Sequence, residues 1–230
     1  MPLKRHAGLL SLVALTLTYV ALMKIGGSNV RIAFRVPHDY VVAAAFVTQH
    51  SWEIRWGSFC EFASAIPLGI FMAVSLGRLR LSGICPIGEQ IAALGGFATP
   101  IMLAGSALGT WSLTRPGVAD TPGAVAALQS IGFDGGGPGF AVFLGPFVGG
   151  VSIAAGLHKL IPRWLMWLGI VIAFASALSL ITLLNFTAGY LIPVVRFLSI
   201  VWMLGLAFKL PAVFPVASNG GRTRTERLEL

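Results

Sequence analysis

Residues 54–76 form an apolar run long enough to cross a bilayer, and a single acid, Glu61, stands inside it. A helix rising about 1.5 Å per residue needs roughly 20 apolar residues to span the hydrocarbon, so this run, closed by Arg78 and Arg80, reads as a membrane span with a basic flank. The pattern recurs. Comparable runs lie near residues 8–25, 90–113, 139–157, 164–184 and 191–210. The expected fold class is therefore all-α: a polytopic membrane helical bundle of six transmembrane helices, carrying two short extracytoplasmic loop helices.

Composition agrees. Only 10% of the 230 residues are charged and 56% are hydrophobic, whereas soluble domains carry about a quarter charged residues. The net charge of +8 is spread in short basic groups between apolar runs, with no basic patch interleaved with stacking aromatics, so nucleic acid is not an expected partner. Topology explains it instead. Lys4, Arg5, Arg78, Arg80, Lys159, Arg163, Lys209, Arg222, Arg224 and Arg227 fall on one side of the six runs. Lys24, Arg31, Arg35, Arg55 and Arg115 fall on the other, and the excess places both termini in the cytoplasm. The first run has the shape of a signal peptide, but no small-x-small site precedes Lys24, and it is read as a retained span. Cys60 and Cys85 belong to opposite faces, too far apart for a disulfide.

The connections are unequal. Two long outer loops, residues 26–53 and 114–138, each carry a helix signal. Pro37 opens HDYVVAAAFVTQH, in which Tyr40, Val41, Ala44 and Val47 share a helical face, and Thr121-Pro122 is a cap followed by a first-turn proline. Spans five and six form a plain hairpin closed by NFTAGYLIP. Residues 1–214 read as the membrane domain, and residues 215–230 as a polar, disordered cytoplasmic tail.

The stretch GFDGGGPGFAVFLGPFVGG lacks the Gly-Lys-Ser/Thr ending and the preceding strand of a phosphate loop, so its glycines predict close helix packing. Gly145 and Gly149 stand four apart, as do Gly105 and Gly109, which predicts that spans three and four are intimate neighbours.

Glu61 should lie roughly 10 Å inside the outer end of its helix, and Arg196 roughly 8 Å inside the same face. An unpaired charge in a bilayer is expensive, so the two are expected to approach one another. They could form a buried strut fixing the register of two spans. They could equally floor an outer-facing pocket with Asn185, Tyr190, His50 and Asp134 near its rim. No histidine falls within a span, which argues against a bis-imidazole haem, and His38, His50, Asp39 and Glu53 match no metal-ligand spacing. No nucleophile elbow, HExxH or CxxCH is present, so no catalytic residue, metal or cofactor is assigned. Glu89 reads as a first-turn acid able to meet Arg78 or Arg80, and Trp52, Trp56, Trp111, Trp164 and Trp167 as interfacial belt residues, with Trp202 deeper.

Three stretches, WEIRWGSFCEFASAIPLGIFMAVSLGRLR, GGGPGFAVFLGPFVGGVSIAAGLHKLIPRWLMWLGIVIAFASALSLITLL and VVRFLSIVWMLGLAFKL, resemble a large group of uncharacterised small bacterial multi-span membrane proteins. The resemblance runs from Trp52 to Leu210, is most specific at the Gly-Pro-Gly-Phe entry to span four and the Pro-Arg-Trp-Leu turn into span five, and implies a bacterial inner membrane. It contributes no catalytic residues. The expected function is non-enzymatic: binding a small or lipidic ligand at the outer face, or serving as a subunit beside a membrane protein partner. A small transporter or channel is the alternative, and a membrane enzyme using Glu61 with His50 assisting comes third.

Overall fold

The structure, a computed structural model, describes residues 3–30, 40–81 and 86–210, with side chains from 11–26, 42–81 and 87–210 apart from Thr187. The expected tail, the helix start at Pro37 and the loop containing Cys85 lie outside the described residues. What is described is helical, with no strand.

The helices are α1 (Leu3–Val30), α2 (Tyr40–Gln49), α3 (Ser51–Leu81), α4 (Pro86–Ser112), α5 (Pro122–Asp134), a π-helical turn (Gly135–Gly139), α6 (Phe140–Leu157), α7 (Arg163–Leu178), two 3-10 turns (Ser179–Leu183 and Phe186–Tyr190) and α8 (Leu191–Lys209). Five described helical runs are long and apolar enough to cross a membrane: Ser51–Leu81, Ile87–Ser112, Pro122–Leu157, Arg163–Leu183 and Ala188–Lys209. Within α1, the apolar stretch Ser11–Gly26 is shorter.

The sequence reads the second loop helix and the fourth span as separate elements, the span beginning near residue 139, and the structure joins them. Pro122–Leu157 is one unbroken helical run of 36 residues, because the glycine cluster widens into a π turn instead of unwinding. Pro138 lacks an N–H and cannot continue the α ladder, and four glycines around it let the backbone absorb an extra residue without side-chain conflict. At the connection from α2 to α3 His50 alone separates the two helices, with its N–H bonded to Phe46 O at 3.0 Å and its carbonyl accepting from Ile54 at 3.0 Å.

The long helices close into a ring in chain order: α1 on α3, α3 on α4, α4 on α6, α6 on α7, α7 on α8, and α8 back on α1. The run containing α6 is the central one, with 67% of its most apolar window buried against at most 44% for the other four. Lipid is as apolar as leucine, so such a ring is held by close packing and hydrogen bonds, not by hydrophobic transfer. At Gly95 of α4 a Cβ would drive into the Phe143–Phe147 backbone of α6, and at Gly150 of α6 it would lie 2.7 Å from Gly88 O.

The expected intimacy of the third and fourth spans is present, but different glycines make it. Gly105 faces open space, and Gly109 meets Ile131 and Gly132 of α5. Gly145 and Gly149 abut Ser176 and Ala173 of α7, not α4. A four-residue spacing reports a small-residue face, but not the helix that occupies it.

Above this ring a smaller core joins Ala43, Ala44 and Val47 of α2 to Ile54, Leu113 and Val125. Arg55 fastens it, donating from Nε to Thr114 Oγ1 at 3.1 Å and from Nη2 to Thr114 O at 3.0 Å. At the opposite end Arg80 Nε is ion-paired with Glu89 Oε1, as the first-turn position of that acid suggests. Arg78 Nη1 donates to Leu210 O at 3.4 Å. Helix α6 ends where Lys159 takes a left-handed conformation, φ 56°, and Leu160 N–H reaches back to Ala155 O at 2.9 Å. The five belt tryptophans are exposed, from Trp111 at 39% to Trp52 at 70%, while Trp202 is fully buried and meets Phe147 edge-on at 6.0 Å. That split fits an apolar surround with wet ends.

Candidate functional site

The π turn organises the polar centre of the molecule. In an α-helix the Phe140 N–H would bond Gly136 O, but here it turns to Gly135 O and Gly137 O. Arg196 of α8 occupies the carbonyl thus bypassed, donating from Nη2 to Gly136 O at 2.6 Å. Its guanidinium lies 4.6 Å from the centre of the Phe140 ring, so the charge is held by a carbonyl dipole on one side and a π face on another.

Glu61 reaches the same turn from α3. A Cβ on Gly136 would lie 3.1 Å from Glu61 Oε1 and would collide with Ser106 Oγ, so glycine is needed there for α3 and α4 to approach the turn. Ser106 stands between the two elements, with its Oγ 2.7 Å from Gly132 O and 3.0 Å from Glu61 Oε1. Ser106 is buried, whereas Glu61 and Arg196 are half-buried. Tyr19 of α1, 2% exposed, lies within electrostatic reach of both charged groups. One turn further along α3, buried Ser64 donates to Glu61 O at 2.6 Å and lies 3.2 Å from Met23 Sδ, so the wall towards α1 is small and weakly polar.

Glu61 and Arg196 do meet at one level, as their depths predict, but not as an ion pair. Among the described residues the ion pair is Arg80–Glu89, and the acid and base of the centre are joined through the backbone of Gly136. The π turn explains the difference. It places a carbonyl where the carboxylate would have been, and that carbonyl takes the guanidinium.

Of the expected rim residues, His50 lies away from the centre, and the other three are exposed. His50 stacks on Phe46 with ring centres 4.2 Å apart, and its Nδ1 is 3.1 Å from Phe46 O. It is eleven residues before Glu61, roughly 16 Å along the helix, too far to assist it. Asp134 is exposed although its backbone adjoins the π turn, and Asn185 and Tyr190 are exposed near the start of α8. No group of three or more metal-ligating side chains occurs among the described residues.

No protein-family model, curated protein or solved structure matches the chain. The reading of the site therefore rests on its own geometry.

Three members of the centre escaped the sequence reading: Tyr19, Ser106 and the π turn itself. The first two carried a signal. Ser106 lies seven residues before the outer end of the third apolar run and Tyr19 six before that of the first, depths of roughly 10 Å and 9 Å that match Glu61. A search restricted to charged residues passes over a hydroxyl at the same level. The π turn carried a weaker one, a proline within four glycines.

Proposed function

We propose that this chain is a non-enzymatic, six-span protein of a bacterial inner membrane, both termini cytoplasmic, that binds a small or lipidic ligand from the outer side at the centre formed by Glu61, Ser106, Gly136 and Arg196. In this reading α1 is the first span, α2 and α5 are the extracytoplasmic loop helices, and the resemblance to small bacterial multi-span proteins reflects common descent. The observation that carries it is the state of the two ionisable groups. Glu61 and Arg196 sit at one level of an apolar bundle, half-buried, without being consumed by each other. A purely structural pair would close directly, since two charges in low dielectric are costly apart. A π turn in a spanning helix is a second mark of a functional position.

The test is to purify the protein in mild detergent and examine it by native mass spectrometry. A retained non-protein mass that is lost in Arg196→Gln, while Gly105→Ala keeps it, supports ligand binding. Wild-type protein free of added mass from every lipid extract offered would refute it.

A small transporter or channel is the second reading, and one observation favours it. The buried polar side-chain atoms without a partner among the described residues are Ser152 Oγ, Ser176 Oγ, Thr182 Oγ1, Arg196 Nε and Trp202 Nε1, all between α6 and α8. Uptake of the retained ligand into sealed vesicles would favour transport over binding alone. A role as a subunit would show instead as a stoichiometric protein partner in the same spectra.

A further inference from the structure

The centre contains a hydrogen-bond count that bears on the protonation of Glu61. Ser106 Oγ has two oxygen neighbours at hydrogen-bond distance, Gly132 O at 2.7 Å and Glu61 Oε1 at 3.0 Å. The hydroxyl has one hydrogen and a carbonyl has none, so Ser106 either shares that hydrogen between both oxygens in a weaker three-centre bond or gives it to one and leaves the other contact to be filled by a hydrogen on Glu61. If Ser106 donates to Gly132 O, its contact with Glu61 is a hydrogen bond only when the carboxyl carries the other hydrogen. If Ser106 donates to an ionised Glu61, two acceptor oxygens face each other 2.7 Å apart with nothing between them.

Arg196 does not alter this count, because its Nη2 hydrogen goes to Gly136 O and its Nε is buried without a partner among the described residues. The groups facing Glu61 can be named by element. Helix α1 contributes Tyr19, α8 contributes Arg196, α4 contributes the Ser106 hydroxyl, and the π turn contributes backbone alone. Lys24, further along α1, lies 6.0 Å from the Phe197 ring, and Asp134 is exposed.

We propose that the centre is a cationic acceptor for an anionic group, with Glu61 present as a neutral, proton-bearing acid and Arg196 as a charge that only a ligand's phosphate or carboxylate oxygens neutralise. This rests on the ligand-binding reading and narrows it to one chemical class. A neutral carboxyl beside an unneutralised guanidinium leaves the half-buried site with one net positive charge, and an anion is what such a site selects. The anion comes either from a lipid headgroup or from a free solute, and the chemistry at Arg196 is the same for both.

Two measurements test this. Infrared spectra of the protein in nanodiscs of neutral phosphatidylcholine, taken at neutral pH for wild type and Glu61→Gln, should differ by one protonated-carboxyl carbonyl band present in wild type only. Absence of that band overturns the proton assignment whatever the protein binds. Native mass spectrometry should then show retention of phosphatidylglycerol at least tenfold above phosphatidylcholine if the source is lipid. Calorimetric binding of inorganic phosphate or acetate to the nanodisc-embedded protein should appear instead if the source is a solute, and Arg196→Gln should lose whichever is seen. Preferential retention of a neutral or cationic amphipath overturns the anionic class while leaving ligand binding intact. No retention of any kind overturns both, even with the infrared band present. The wild-type comparisons do not depend on either variant folding.

Discussion

Arg196 gives its Nη2 hydrogen to the carbonyl of Gly136 across a 2.6 Å bond, so the last helix of the ring is fastened to a backbone group that only a π turn exposes. Hydrogen bonds from charged donors contribute about 1.5–3 kcal/mol, and half-burial of this one places it at the lower end. Arg196→Met, which keeps an unbranched stem but no guanidinium, should therefore lower stability by roughly 1–2 kcal/mol. Arg196→Lys should recover only part of that, because an ammonium cannot both reach the carbonyl and lie flat on Phe140. Denaturant titration in detergent reads both.

Gly136 is the tightest point of the centre. A methyl there would meet Ser106 Oγ and Glu61 Oε1, so Gly136→Ala should cost about 1–3 kcal/mol by overpacking. Gly105→Ala, with nothing within 4 Å of its new methyl, should be neutral or up to about 1 kcal/mol more stable through helix propensity. The pair separates steric demand at the turn from the general effect of replacing glycine.

Ser106 and Glu61 should respond unequally. Ser106→Ala removes the hydroxyl that bridges α4 to both α5 and α3 and should cost about 1–3 kcal/mol, since it strands a carboxyl in the bundle. Glu61→Gln keeps the shape and offers an amide hydrogen to Ser106, so its melting temperature should stay close to wild type. A large loss in Glu61→Gln with a small one in Ser106→Ala would indicate a direct charge pair instead.

Lys159 holds a left-handed conformation that costs an ordinary residue about 1–2 kcal/mol and glycine almost nothing. Lys159→Gly should raise stability, by up to about 1 kcal/mol after the greater freedom of glycine in the unfolded chain is discounted. Thermal unfolding of the two proteins side by side measures it.

Ser152 Oγ is buried without a partner among the described residues and presses on Gly169, beside Trp202 Nε1. Removing an unsatisfied hydroxyl relieves a cost, so Ser152→Ala should unfold at the same temperature as wild type or higher. A clear decrease would show that the hydroxyl is bonded after all.

Five long apolar helices were legible in the sequence because lipid imposes a length and a composition that few other environments do, while the first of the six expected spans has only a shorter apolar stretch, Ser11–Gly26. Glu61 and Arg196 could be placed at one depth because helix rise is constant. Their partners could not be read, since pairing depends on rotation about each helix and on the carbonyls of a third segment, and nothing in residues 54–76 or 191–210 announces either. The same holds for Gly145 and Gly149, whose small face was legible but whose neighbour, α7, was not. The joining of α5 to α6 through GGGPG was not legible for a related reason. Proline and glycine signal loops in water, but in a bilayer an unwound backbone has no water to satisfy it, and a π turn loses less.

The ring closes through contact between its first and last members, and the cationic member of the centre arrives on the last. During synthesis Tyr19, Glu61, Ser106 and the glycine turn are made before the guanidinium, so the Gly136 carbonyl has no Arg196 to take it until α8 is complete. A chain stopped before α8 is thus an open horseshoe, with α1 and α7 lacking the helix that joins them.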